Sequence, residues 1–325
     1  LYIASLIWTR LGLLRDISGV SFGSESEYIQ ANVNGSLCDP RTPAISPLDR
    51  GFLYGDAVYE VWRSYENKLF AWDEHWERLM ATAEGIGLDL PIDSAGARLE
   101  VERTIAEWRR LTDCSSEVYV RLQISRGSGE IGLDPRLAAD AVYVIYVKAL
   151  LDLSDEILNR GMRLHVAKKL IRTPIEALSP ALKTGNYLNN ILGLKEAREA
   201  GADDALFRNG NSDFCETSTR NIWFVFEDRI VTPPLSDGLL AGVTRRVIFE
   251  SFSEFEGLSL REESVGEEQL AEVREVFLSS STQDVQPVAS IDEVSYELGE
   301  KTISRRLKAA LRTRIADALC STPQG

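Results

Sequence analysis

Only four cysteines occur, Cys38, Cys114, Cys215 and Cys320, and no two of them form a Cys-x-x-Cys pair. That scatter offers neither a zinc site nor a disulfide framework. It fits a reducing, cytoplasmic setting. Histidine is scarcer still, with His75 and His165 alone. So few imidazoles give no His-Glu-x-x-His helix and no Ser-His-Asp arrangement, which argues against hydrolytic metal chemistry; no metal ligand set is expected. Positive charge is also short: 36 Lys and Arg stand against 50 Asp and Glu, a net charge of −14. Such a chain has no electrostatic footprint for nucleic acid or an anionic membrane. No apolar run reaches the roughly twenty residues of a membrane span. The apolar opening, Leu1 to Leu14, is interrupted by Arg10, and its charge does not precede the apolar run as in a secretory signal. Residues 1–24 are expected to be an extension that packs rather than an address. There is no internal repeat and no low-complexity tract.

What is present is ordinary globular material, 44% hydrophobic and 26% charged over 325 residues, enough for one large domain or two medium ones. Strand, Asn-Gly turn and strand are predicted over 27–37. Two glycines then flank Phe52-Leu53-Tyr54, and a β-rich run follows to Arg63. Asp73 reads as the N-cap of a helix over 74–86 ended by Gly87, and a second helix fits 94–111. Val118 to Ser125 alternates like a strand, and 141–150 is a nearly continuous apolar run that reads as a buried strand. The predicted division is an extension at 1–24, a small domain at 25–150, a connector at 151–156 and a large domain at 157–325. In the second part, strands are expected at 163–169, 205–208, 221–226, 229–232 and 276–278. Helices are expected at 188–200, from about 243, and at 301–319. Hairpins mixed with helices indicate α+β rather than a doubly wound parallel sheet.

The chain turns on Pro180-Ala-Leu-Lys183-Thr-Gly-Asn-Tyr187-Leu-Asn-Asn190. A loop lysine with a tyrosine four residues on, and a glycine between them, suits Schiff-base chemistry, in which the amine must be held partly desolvated and low in pKa. A pyridoxal phosphate enzyme needs that lysine, a carboxylate at the pyridine nitrogen, a donor to the ring oxygen and a phosphate cup. Glu216, 33 positions after Lys183, is the carboxylate candidate, in a loop just before a strand. Phosphate candidates are Gly242-Val243-Thr244 at a helix start, the hydroxyl run Ser280-Ser281-Thr282, and Arg78.

These pieces stand in a telling order. Asp49-Arg-Gly-Phe-Leu-Tyr-Gly-Asp-Ala-Val-Tyr-Glu-Val61, Asp73-Glu-His-Trp-Glu-Arg-Leu79, Arg126-Gly-Ser-Gly-Glu-Ile-Gly-Leu-Asp-Pro135, Lys183-Thr-Gly-Asn-Tyr-Leu-Asn-Asn190, Glu216-Thr-Ser-Thr-Arg-Asn221 and Leu240-Ala-Gly-Val-Thr-Arg245 resemble, in register, the class IV or fold-type IV pyridoxal phosphate aminotransferases. That family includes branched-chain aminotransferases, D-amino-acid transaminases and aminodeoxychorismate lyases. The resemblance implies a two-domain fold, with a smaller N-terminal α/β domain and a larger C-terminal domain built on a pseudo-barrel of strands. It implies a homodimer using amino acid and 2-oxo acid substrates.

The resemblance also implies roles. Lys183 forms the Schiff base and moves the proton, Glu216 pairs with the pyridine nitrogen, and Tyr187 bonds the ring oxygen. Arg78, the backbone of Val243 and Thr244, and the hydroxyl of Ser281 or Thr282 hold the phosphate. Tyr54, Tyr59, Tyr119 and Arg121 line the substrate pocket, as in the branched-chain enzymes. The Arg-x-His pair with which D-amino-acid enzymes grip the substrate carboxylate is absent after the glycine turn, and Arg126 is the residue that could substitute. The expected function is amino transfer between a branched-chain or aliphatic L-amino acid and an oxo acid such as 2-oxoglutarate. A D-amino-acid or (R)-amine transaminase, an aminodeoxychorismate lyase and a cofactor-free binding protein stay open as alternatives.

Overall fold

The computed structural model describes residues 28–42, 44–138, 140–150 and 152–321; the extension expected at 1–24 lies outside them. In chain order the first elements are β1 (Gln30–Val33), β2 (Ser36–Cys38), α1 (Arg50–Tyr54), β3 (Ala57–Tyr65), β4 (Lys68–Leu69), α2 (Trp72–Gly85), α3 (Ser94–Thr112), β5 (Val118–Ser125) and β6 (Val142–Ala149). Their six strands form one antiparallel sheet in the order β2-β1-β6-β5-β3-β4. Alternation along β5 explains its two faces. Val118, Val120, Leu122 and Ile124 are fully buried against α2 and α3, with Trp62, Trp72, Trp76 and Trp108 in the same core. Tyr119 and Arg121 take the opposite phase and face a cavity. On β3, Val61 pairs with Arg121 and Tyr59 with Gln123, so Tyr59 and Val61 share that face. Val58, Glu60 and Trp62 point toward the helices.

The rest of the chain adds α4 (Asp155–Arg160), β7 (Met162–Val166), α5 (Leu188–Glu199), β8 (Asp204–Arg208), β9 (Phe214–Thr217), β10 (Asn221–Val225), β11 (Arg229–Thr232), α6 (Val243–Ser251), β12 (Glu254–Phe255), β13 (Leu258–Glu262), β14 (Glu275–Ser280), β15 (Asp284–Ile291), β16 (Val294–Ser295) and α7 (Ile303–Ser321). The order β10-β14-β15-β7-β8-β9 closes on itself because Asn221 of β10 also pairs with Glu216 of β9. A six-stranded barrel results, with β11, β13 and β12 continuing outward from β10. Its strands other than β7 are buried on both faces along most of their length. Along β10, Ile222 and Phe224 fill the barrel core, while Trp223 and Val225 pack beneath α6 and α7 with Ile248, Leu307 and Leu311. That is why this part reads as short continuous apolar runs instead of clean alternation. The α+β, fold-type IV reading describes this architecture. Among the described residues no helix is long and apolar enough to cross a membrane.

Two differences from the sequence reading matter for the site. Asp73 does not cap α2; Ala71 does, in the left-handed region at φ 55°, and Asp73 sits in the first turn, where a carboxylate still favours the helix dipole. Glu216 is not in a loop before a strand but in β9 itself, as the residue that closes the barrel.

A buried ionic cluster ties the sheet, the barrel and α7 together. Asp284 begins β15 at φ 59° with 1% exposure. Its carboxylate accepts from Tyr65 and from Arg312 (2.9 Å) and lies 3.5 Å from Lys308 and 3.6 Å from Arg63. Arg63 also donates to Asp152 (2.9 Å) and to the Thr282 carbonyl (3.0 Å). Burial pushes the Asp284 carboxyl up, but Lys308 and Arg63 reverse this and hold it below its ordinary value. Asp284→Ala strands several buried cations, and the expected cost is about 3–5 kcal/mol, read as a lower urea midpoint. Because the folded pKa is depressed, the wild-type contribution is present above the ordinary carboxylate range and lost only as pH falls through that depressed value.

Candidate active site

The lysine loop belongs to the barrel by sequence and to the sheet by bonding. The Tyr59 N–H donates to the Lys183 carbonyl (3.1 Å) and the Gly185 N–H to the Ala57 carbonyl (2.8 Å), so Thr184 bridges Val58 on the edge of β3. Thr82 of α2 accepts from the Lys183 N–H (3.3 Å). A Cβ on Gly185 would come within 3.2 Å of the Gly55 carbonyl, a tight approach that the glycine avoids. Fixed in this way, Lys183 is half-buried, with its Nζ 4.5 Å from the centre of the Tyr59 ring. Loss of solvent around the amine pushes its pKa down, and Arg78 acts in the same sense against the opposing pull of Tyr187, Glu60 and Glu216. The Tyr187 hydroxyl is bonded to that of Tyr59.

Lys183 and Tyr187 open onto a cavity of about 290 Å³ between sheet and barrel. Glu216 forms one end. Its Oε1 is paired with Arg172 (2.8 Å), and its Oε2 accepts from the Leu240 N–H (3.2 Å) and Asn221 Nδ2 (3.4 Å). Burial pushes its pKa up, against the pull of Arg172, the Leu240 N–H and Lys183.

The other end is built to receive an anion. Gly242, Val243 and Thr244 line it at the start of α6, where helix N–H groups have no intrahelical acceptor. Gly242 is needed because a Cβ there would lie 2.0 Å from Asn221 Oδ1. Ser280, Ser281 and Thr282 line the facing wall, and the Ser280 hydroxyl is buried without a partner among the described residues. Arg78 completes this end. Its Nε and Nη2 donate to Glu60 (2.7 and 2.9 Å) and its Nη1 to the Ala241 carbonyl (2.8 Å). Glu60 is fully buried; burial raises its pKa, but Arg78 and His75 outweigh this and keep it ionised. His75 completes the line: Nδ1 lies 2.7 Å from Glu60 and Nε2 lies 3.3 Å from Ser281 Oγ. The structure thus assembles a Ser-His-Glu sequence that two isolated histidines did not suggest. Here Glu60 is shared with Arg78, and the serine faces the anion end. Pyridoxal 5′-phosphate fits this donor set, with an orphaned hydroxyl and free N–H groups at one end and a carboxylate at the other.

The remaining wall is made by Tyr59, Val61, Tyr119 and Arg121. The Arg121 guanidinium lies 3.8 Å from the centre of the Tyr59 ring and donates to neutral Gln123 (2.8 Å). Lys183, Tyr187, Glu216, Arg78, Val243, Thr244, Ser281, Thr282, Tyr59, Tyr119 and Arg121 therefore meet in one cavity. Tyr54 and Arg126 do not line it. Tyr54 accepts from the Gly132 N–H (3.2 Å). Arg126 is held by Asp56 (2.8 Å) and the Gly87 carbonyl (2.6 Å), which leaves it committed to structure.

Sequence reasoning missed Arg172, Glu60, His75 and Asn221. For Glu60 a signal existed. It shares the phase of Val58 and Trp62 on a strand, so a carboxylate facing the helices had to find partners. Arg172 had none, since only the fold brings it to Glu216.

Comparison with known proteins places these observations. The family described as amino-transferase class IV matches residues 57–291. A Methanocaldococcus jannaschii protein assigned as a branched-chain-amino-acid aminotransferase is 30% identical over 290 residues, 86% of this chain and 97% of its own. A Staphylococcus epidermidis D-alanine aminotransferase is 30% identical over 280 residues, 85% of this chain and 94% of its own. The crystal structure of a branched-chain aminotransferase from Thermoproteus uzoniensis with norvaline superposes with a TM-score of 0.77 at 27% identity, covering 89% of this chain and 95% of that one.

Proposed function

We propose that this chain, which belongs to the class IV aminotransferase family, moves an amino group from a branched-chain or aliphatic L-amino acid to a 2-oxo acid such as 2-oxoglutarate, with pyridoxal 5′-phosphate held in the cavity between sheet and barrel. When bound, that cofactor supplies an electron-accepting ring conjugated to the substrate nitrogen. The Lys183 amine, kept low in pKa, serves as attachment point and as the base that removes the substrate Cα proton. Glu216, oriented by Arg172 and the Leu240 N–H, holds a proton at the ring nitrogen. Tyr187, steadied by Tyr59, faces the ring oxygen. Arg78, the start of α6 and the Ser280–Thr282 hydroxyls retain the phosphate.

The substrate reading rests on one observation: the free wall combines Val61 and two phenol rings with a single arginine, Arg121, whose guanidinium is bonded to a neutral amide. Such a wall accepts an apolar side chain and also a carboxylate. The D-amino-acid alternative called for Arg126 at the substrate, and Arg126 is tied to Asp56. A homodimer is part of the proposal. Phe52, Ile131 and Leu133 are 76–79% exposed beside α1, an apolar surface that a second copy would cover.

A donor panel of L- and D-amino acids and an (R)-amine, with 2-oxoglutarate or pyruvate as acceptor, tests the reading. Leucine, isoleucine and valine should lead with 2-oxoglutarate. Arg121→Leu should lower kcat/KM for 2-oxoglutarate by about ten- to hundred-fold, the loss of a charge-assisted hydrogen bond. Preference for D-alanine, or pyruvate release from aminodeoxychorismate, would replace the proposal.

A further inference from the structure

His75 has no part in the amino transfer described above, yet it is buried at the anion end. Its Nδ1 lies 2.7 Å from a Glu60 carboxylate that is charged and shared with Arg78. Only a donor can face a carboxylate at that distance, so the Nδ1 nitrogen carries the proton. In the neutral ring Nε2 is then an acceptor, and its neighbour is Ser281 Oγ at 3.3 Å. The Ser281 hydroxyl must point its proton inward at His75, leaving oxygen lone pairs toward the cavity. That is the wrong polarity for a phosphate group.

The charges of this end point the same way. Glu60 and Arg78 cancel, while a phosphate monoester carries a charge of about −1.5 to −2 at neutral pH. The groups facing His75 are Glu60 from β3, Arg78 from its own helix, Lys183 from the lysine loop and Ser281 from the turn after β14. Arg63 and Tyr65 border the small void beside the ring, but both are engaged by Asp284. From α6 and α7 the void receives Thr244 and apolar side chains. Burial holds the imidazole below its ordinary pKa, Arg78 and Lys183 adding to this against Glu60, so it is neutral before loading.

Building on the cofactor reading above, we propose that His75 is a positioning residue that takes up a proton when the phosphate group binds. Nε2 becomes a donor to Ser281, and the Ser281 hydroxyl turns its own proton to the phosphate. One proton is gained from solvent and forms the Nε2–H bond, no bond between heavy atoms changes, and the end gains a positive charge as the dianion enters. His75 acts through Ser281 and touches no reacting atom.

The test titrates the full chain, stripped of cofactor, with pyridoxamine 5′-phosphate, which does not link covalently to Lys183. Calorimetry near pH 7.5 in buffers of different ionisation enthalpy counts protons. Wild type should take up about one more proton per site than His75→Gln, and its affinity should fall by up to about tenfold per pH unit between the free and the loaded His75 pKa, levelling off above the latter. His75→Gln should bind with a flatter pH profile. The chain has only two histidines, so ¹⁵N spectra of wild type, with His165→Gln for assignment, should show the unprotonated ring nitrogen of His75 disappear on loading. These spectra decide the matter even if His75→Gln does not fold. Binding with His75 still unprotonated, or equal proton uptake by wild type and His75→Gln, overturns the inference while leaving the cofactor reading intact. Failure of wild type to bind the probe at all overturns both.

Discussion

Lys183→Ala is expected to lower turnover by at least about 10⁴-fold, since attachment point and base are lost together. The variant should also lose the visible absorbance that the cofactor gains when joined to a lysine. A second expectation separates chemistry from folding. Desolvation of the amine depresses the Lys183 pKa, so between its folded and unfolded values the unfolded chain binds more protons. Over that window the protein gains stability as pH rises, and at neutral pH the lysine is a liability to the fold. Cofactor-free Lys183→Ala should therefore be at least as resistant to urea as wild type at pH 7. Turnover near the wild-type rate, measured by oxo acid formation, would remove Lys183 from the mechanism. A large drop in stability would show that the lysine is held in place for packing.

Glu216→Gln is expected to reduce kcat by about 10²–10³-fold, the size of effect seen when one preorganised electrostatic contact is removed from a transition state. The amide keeps the shape and can still accept from the Leu240 N–H. It cannot hold a full positive charge at the ring nitrogen, and it leaves the Arg172 guanidinium, 2.8 Å away in wild type, without its counter-charge. Affinity for pyridoxamine 5′-phosphate should change by less than about tenfold, because on the proposed function Arg78 and α6 would grip the phosphate at the other end, interactions the substitution does not touch. Equal losses in kcat and in affinity would mean that Glu216 anchors the cofactor without tuning it.

Legibility of the fold followed the physics of each segment. The alternation of Val118 to Ser125 showed through because only one face of β5 meets the core. The Asn-Gly turn between β1 and β2 showed through because a left-handed pair is needed there; Asn34 and Gly35 have φ of 48° and 84°. Helix α1 was missed, although Asp49 caps it by accepting from the Gly51 and Phe52 N–H groups and Gly55 ends it in the left-handed region. Five residues are too few for periodicity to register. Closure of the barrel was beyond local reading. It depends on Asn221 meeting Glu216 across a tight β9–β10 reversal and on β15 lying parallel to β7, pairings that no single stretch encodes.

Site residues divide in the same way. Lys183, Tyr187 and Glu216 stand in recognisable local company. Arg172 acquires its role only through Glu216, and the Ser280 hydroxyl is one of a run of similar residues until burial singles it out. Tyr54 and Arg126 stand in equally recognisable company, yet α1 and Asp56 turn them away from the cavity.

The backbone bonds of the lysine loop to β3 also bear on solubility. An uncovered strand edge is a template for pairing with another chain. On the outer side of β3, β4 covers Ser64 and Tyr65, and Thr184 covers Val58. The lysine loop is thus a guard for the sheet as well as the carrier of its amine. Displacing it would uncover the Ala57–Tyr59 edge, so damage to this loop would reach the cell as self-association and lost soluble protein before it could be measured as lost turnover.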